Sequence, residues 1–215
     1  MKFLSSIFGG KKEDRALHDA FAKIRRIIED EQFQLELVPP AVRELLESRP
    51  AYDKSPNGIG PFGFTETNPI PVNGPIGQLA YLSKLETLTG QRIIFHRIGA
   101  IDYVDVFEAV SFDGRQWFIL FVDLYHPRRS RITPDGFRFT TEVAQFSGFH
   151  KFCDDFPYDF AEKKATQQES GLSLAYIPVS NLSEQIRGRV FNRPLAHNAK
   201  LELVNSRISS SQTHQ

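Results

Sequence analysis

With one cysteine, one tryptophan and one methionine in 215 residues, the chain lacks the material for several kinds of site. A lone Cys153 cannot close an internal disulfide, and a structural zinc site needs several Cys and His residues at set spacings. The low cysteine count fits a reducing compartment, so a cytoplasmic location is the expectation. Charge of one sign is also missing. The 26 basic residues balance 26 acidic ones, which removes any overall electrostatic bias toward nucleic acid or anionic membrane. No apolar run approaches the length of a membrane span. Residues 1–8, MKFLSSIF, are too short for the core of a signal peptide and lead into Gly9-Gly10-Lys11-Lys12 without a cleavage pattern. Phe3, Leu4, Ile7 and Phe8 ahead of two lysines could rest on a membrane surface, but one short turn binds weakly. Residues 1–12 therefore read as an N-terminal segment outside the main domain, with peripheral membrane contact as the lesser alternative.

What the chain does contain is phenylalanine, 19 in all, and a Gly/Pro-dense stretch over residues 58–77, GIGPFGFTETNPIPVNGPIG. Phenylalanine has no polar handle, so its excess speaks for core packing before ligand chemistry. The stretch carries Phe62, Phe64, Ile70, Val72 and Ile76 and reads as an ordered loop, since a flexible linker would lack such apolar anchors. Gly58, Gly60 and Gly63 have GxGxxG spacing, but Pro61 interrupts it and no strand-to-helix context surrounds it, so a phosphate loop is rejected.

The apolar residues of 13–31 (Leu17, Ala20, Phe21, Ile24, Ile27 and Ile28) recur at three- and four-residue intervals and predict an amphipathic helix. A second helix is expected from Pro39-Pro40 through Leu46, stopped by Pro50. Residues 92–98, 103–112 and 116–125 are β-branched and aromatic, and Asp113-Gly114 between the last two predicts a tight hairpin with φ > 0 at both turn residues. Val104, Val106 and Val110 share a strand face with Glu108, whereas residues 117–122 are apolar on both faces, as in a central strand covered on both sides. Residues 76–88 predict a short helix or an irregular packed segment, and Phe137 with Phe139 a short strand. Phe146, Phe149, Cys153, Phe156 and Phe160 fit a broken helix or wrapped loop. Residues 172–179 suggest a final strand, 181–186 a short helix, and the Ser-rich 206–215 a disordered tail. The sum is an α+β fold: N-terminal helices packed on a mainly antiparallel sheet, with one domain over 13–205.

The first candidate site is the loop after the central strand, where Asp123, Tyr125, His126, Arg128, Arg129 and Arg131 leave the sheet together. Guanidinium groups match carboxylate or phosphate oxygens, so the loop could hold an anion, with Asn68 and Asn73 of the Gly/Pro stretch brought near it. The plain alternative is that Asp123 pairs with one arginine and the others face water. A second basic group, Arg187, Arg189, Arg193, His197 and Lys200, has only Phe191 as a stacking aromatic and reads as a solvated segment, so nucleic acid is not an expected partner. His96 reads as a structural or surface residue. Cys153 reads as a small buried hydrophobe, and His150, Cys153, Asp154 and Asp155 as no metal site. No cofactor is expected.

Five segments together, NPIPVNGPIG at 68–77, YLSKL at 81–85, FHRIG at 95–99, VDVFE at 104–108 and LYHPRRS at 124–130, resemble a pattern shared by uncharacterised bacterial proteins. The resemblance covers about the middle third of the chain and implies a bacterial cytosolic origin, with no activity and no catalytic residues attached. The functional expectation is a non-enzymatic binding or protein-interaction domain. The alternatives are an enzyme acting on a small anionic or phosphorylated substrate at loop 123–131, with Asp123, Tyr125 or His126 as acid or base, and a membrane-peripheral scaffold using residues 1–12.

Overall fold

A computed structural model describes residues 19, 22–23, 25–142, 146–149, 152–158 and 188–213. Expectations for residues 1–12, for most of 13–24, and for 172–179 and 181–186 lie outside these. Helix occupies residues 25–29 and stops at Asp30, whose Oδ1 accepts from the Phe33 amide and opens a separate helix, α1 (Glu31–Glu36). The helix expected to run to residue 31 is thus broken by a capping aspartate. Buried Gln34 seals the break by donating Nε2–H to the carbonyls of Ile27 and Ile28 at 2.6 and 3.2 Å. Helix α2 (Pro40–Glu47) has proline in its first turn, as expected.

The main sheet has five strands among the described residues. Its centre is an antiparallel meander of β3 (Ile93–Ile101), β4 (Val104–Ser111) and β5 (Trp117–Asp123). Two-residue strands β1 (Ile70–Pro71) and β7 (Gly148–Phe149) flank it in parallel pairing with β5 and β3. A second, antiparallel pair joins β2 (Leu85–Thr87) to β6 (Phe137–Phe139). The α+β class and the mainly antiparallel sheet are therefore as the sequence predicts. The β4–β5 connection is wider than a two-residue turn. The Ser111 N–H donates the strand-closing bond to the Gln116 carbonyl, and Gly114 alone among the turn residues takes positive φ, at 75°. Asp113 instead accepts from the Ser111 hydroxyl and the Arg115 amide, the side-chain turn chemistry that aspartate favours.

Both faces of the meander are covered. On one, Phe95, Phe107, Ala109, Leu120 and Val122 pack under Tyr81 and Leu82 of helix α3 (Gly74–Ser83), with Phe62, Ile70 and Val72 of the Gly/Pro stretch. The N-terminal helices reach the sheet through α3: Ile27 and Ile28 pack on Ile76 and Ala80. On the other face, Val104, Val106, Ile119 and Phe121 meet Val204 and Ile208 of helix α4 (Leu195–Gln212). A bulge in β3 at Arg97–Gly99 lets α4 come close, since a Cβ on Gly99 would meet Ile208. Helix α4 corrects the reading of residues 206–215 as a disordered tail: it continues to Gln212, with Ile208 buried and Ser211 bonded to Asp102. Docking on an apolar sheet supplies what a serine-rich composition lacks. No described helix is long and apolar enough to cross a membrane.

Candidate functional site

Loop 123–131 and stretch 68–77 are in direct contact. Asn73 bridges to Tyr125, the Gly74 amide donates to the Leu124 carbonyl, and the Ser130 amide donates to the Pro71 carbonyl, both at 2.8 Å. The two segments are packed directly against each other through these backbone bonds. Asn73 is fully buried, and its amide donates to Gln34 Oε1 at 2.9 Å, which ties the start of α3 to the N-terminal helices. Asn68, also fully buried, lies apart from the loop and donates to the Gly60 carbonyl at 2.7 Å.

Most of the loop's ionisable groups are already paired, Asp123 with His126 inside the loop, and Arg128 and Arg129 with carboxylates from earlier in the chain. His126 Nε2 lies 3.0 Å from Asp123 Oδ2, and Nδ1 lies 3.4 Å from the Pro50 carbonyl, with Tyr52 edge-on at 4.7 Å. Both ring nitrogens thus face acceptors, so neither is aimed as a base at an outside group. Asp123 also accepts the Tyr125 amide at 3.0 Å, closing the turn. Arg128 donates to Asp53 at 2.6 Å, which holds the Asp53 carboxyl below its ordinary range against the opposing effect of burial. Arg129 is buried and donates to the Ile28 carbonyl at 2.8 Å and to Glu31 at 3.3 Å; burial pulls its pKa down while Glu31 opposes this. Arg131 is exposed, and among the described residues no carboxylate pairs with its guanidinium.

A depression of about 590 Å³ adjoins this loop. Glu29, Asp30 and Glu31 line it together with Lys84, Arg129, Arg131, Tyr81 and Phe139. Lys84 is paired to Glu29 at 2.6 Å, so Arg131 is the cation left to meet a ligand there. Asp123, Tyr125, His126, Asn68 and Asn73 take no part in the lining. These roles predict unequal mutational costs. Arg129→Ala leaves Glu31 and a buried carbonyl without their donor and should cost about 2–3 kcal/mol. Arg131→Ala should stay within about 0.5 kcal/mol in urea unfolding.

A second cluster escaped the sequence reading. Glu108 is 1% exposed and points from β4 toward the α4 side of the sheet, where its carboxylate meets three donors. His96 Nε2 from β3 lies 3.1 Å from Oε2, His197 Nε2 from α4 lies 2.9 Å from Oε1, and Arg193 Nε, just before α4, lies 2.7 Å from Oε1. Burial alone would raise the Glu108 pKa, but hydrogen bonds from His197 and His96 and the charge of Arg193 hold it at about 2. His96 Nδ1 accepts the Cys153 amide at 3.0 Å, and Phe156 stacks on the ring at 4.1 Å. Arg193 and His197, expected in a solvated segment, are thus the clamp that holds α4, and Arg189 donates to the Phe112 carbonyl. The available signal was a glutamate at an inward position of an otherwise valine-lined strand face. No group of three or more His, Cys, Asp or Glu among the described residues is placed to hold a metal ion. Comparison with models of protein families, with curated proteins and with solved structures finds no match to this chain.

Proposed function

We propose that the chain is a protein-interaction domain without catalytic activity, in a bacterial cytoplasmic setting, and that the outer side of α4 is its contact surface. The observation that carries this reading is an apolar stripe on that helix. Leu195, Ala199 and Leu203 follow one another at four-residue intervals on the side away from the sheet, with Leu195 85% and Leu203 63% exposed. Ser206 and Ser210 continue the stripe as small residues. Glu202 flanks it on one side and Lys200 and Arg207 on the other, with Arg207 paired to Glu66. The complementary partner is an amphipathic helix laid along α4, with apolar residues at the same interval, a cation facing Glu202 and an anion facing Lys200.

The test compares capture from native lysate by the wild-type chain and by Leu195→Ser/Leu203→Ser, whose exposed positions leave stability within about 0.5 kcal/mol. A specific protein recovered by the wild type and lost by the variant supports the reading; equal recovery, or no specific protein and a monomeric profile, overturns it. Arg131, whose guanidinium meets no carboxylate among the described residues, lies at the mixed-charge depression and favours one second reading, a small anionic ligand. Titration with inorganic phosphate, followed by NMR shifts of residues 129–131 in wild type and Arg131→Ala, decides it: unchanged wild-type shifts remove it.

A further inference from the structure

We propose that His96 is the proton-sensitive element of a latch, in which uptake of a second proton by its ring and release of the Cys153 segment from the sheet are one event. The inference concerns the side of the sheet opposite α3 and is independent of the partner surface on α4.

Hydrogen-bond roles carry the argument. A backbone amide can only donate, so the Cys153 N–H at 3.0 Å makes His96 Nδ1 the acceptor nitrogen of the ring. Nε2 therefore holds the single proton and donates it to Glu108 at 3.1 Å. His96 is 1% exposed, so water cannot exchange for either partner without movement. A second proton has one place to go, Nδ1, and there it turns a hydrogen bond into two donors facing each other in a dry site. The segment must then withdraw, because an unmade bond in such a site costs more than one replaced by water.

The groups around the ring set the balance. From β4 comes the Glu108 carboxylate, which favours a cation on His96. Opposing it are Arg193, 2.7 Å from Glu108, and His197 of α4, 2.9 Å from the same oxygen, which already meet that carboxylate. β5 contributes the uncharged Trp117, which lies against Phe156 and His197. From the released segment itself come Cys153, with Asp154 and Asp155 exposed beside it. Glu108 is thus shared among His96, His197 and Arg193. The moving part is correspondingly local: Cys153 and Phe156 pack on Ile94, Val110 and Phe191, and they leave without breaking the β3–β4–β5 ladder.

The test is an NMR titration of the full chain from about pH 8 to about pH 4, reading the His96 ring-nitrogen shifts together with the exchange protection of the Cys153 amide. The expected result is one shared midpoint, with protection falling by about tenfold or more as Nδ1 takes its proton. Protonation with protection unchanged, loss of protection while the ring stays neutral, or a neutral ring until the whole chain unfolds would each overturn the proposal. His96→Gln supplies the second arm. Its amide NH₂ can donate to Glu108 and its oxygen can accept from Cys153, but it does not titrate. In this variant the pH dependence of Cys153 protection should vanish, and its persistence would also overturn the latch.

Discussion

Replacing Glu108 by alanine should cost about 3–5 kcal/mol of stability, the range for removing one partner from a buried ion pair. The expectation follows from what remains behind. Arg193, His96 and His197 converge on a carboxylate that is 1% exposed, and without it two buried ring N–H groups and a half-buried guanidinium lose their acceptor. Glutamine at 108 keeps the shape but brings its own NH₂ to a place surrounded by donors, so it should cost less than alanine without being neutral. The pH dependence separates charge from shape. Glu108 has its folded-state pKa lowered from an ordinary 4.5 to about 2, so its contribution is fully present above the ordinary value and is lost as pH falls from about 4.5 to about 2. A shift of this size corresponds to about 3 kcal/mol. Urea unfolding across that range should show the acid limb in the wild type and a flatter one in Glu108→Gln. A cost below about 1 kcal/mol for alanine, or an unchanged acid limb in glutamine, would refute the assigned role.

Gly148→Ala should be the most damaging single-methyl change in the described sheet, costing about 2–3 kcal/mol through overpacking. Gly148 pairs with Phe95 across β7 and β3, and a Cβ placed on it would enter the Phe95 ring. That ring has no room to retreat, being fully buried and set edge-on against Phe107 at 5.8 Å. The mechanism makes a further claim about coupling. Phe95→Leu should cost stability alone, yet the double variant should be at least about 1 kcal/mol more stable than the sum of the two losses. Additive behaviour would show that the two residues do not compete for the same space.

Elements whose cause is local could be read from the chain. Helix α2 follows from Pro40 in its first turn, and the three central strands from β-branched and aromatic runs. The two-sided burial of β5 follows from its lack of alternation, because these patterns act within a few residues. Expectations failed where a side chain reshaped a turn locally, or where a distant contact outweighed composition. The 113–114 turn took a wider form in which the Asp113 side chain organises the loop. Residues 206–212 became helix because Ile208 and Ser211 find Ile101 and Asp102 about a hundred positions away.

The same division runs through the candidate sites. Sequence alone showed that acid, imidazole and guanidinium groups leave β5 together, and that no motif there defines a reaction. It could not show that Arg128 and Arg129 are already met by Asp53 and Glu31, residues 75 and 98 positions earlier. Nor could it gather His96, Glu108, Arg193 and His197, which come from two strands, a distant helix and the segment just before it. Composition and periodicity determined the class of fold and which residues avoid water. Only the tertiary structure decided which charges neutralise one another and which stay exposed, because ionic and hydrogen-bond partners are selected by distance in space, on which sequence separation places no limit.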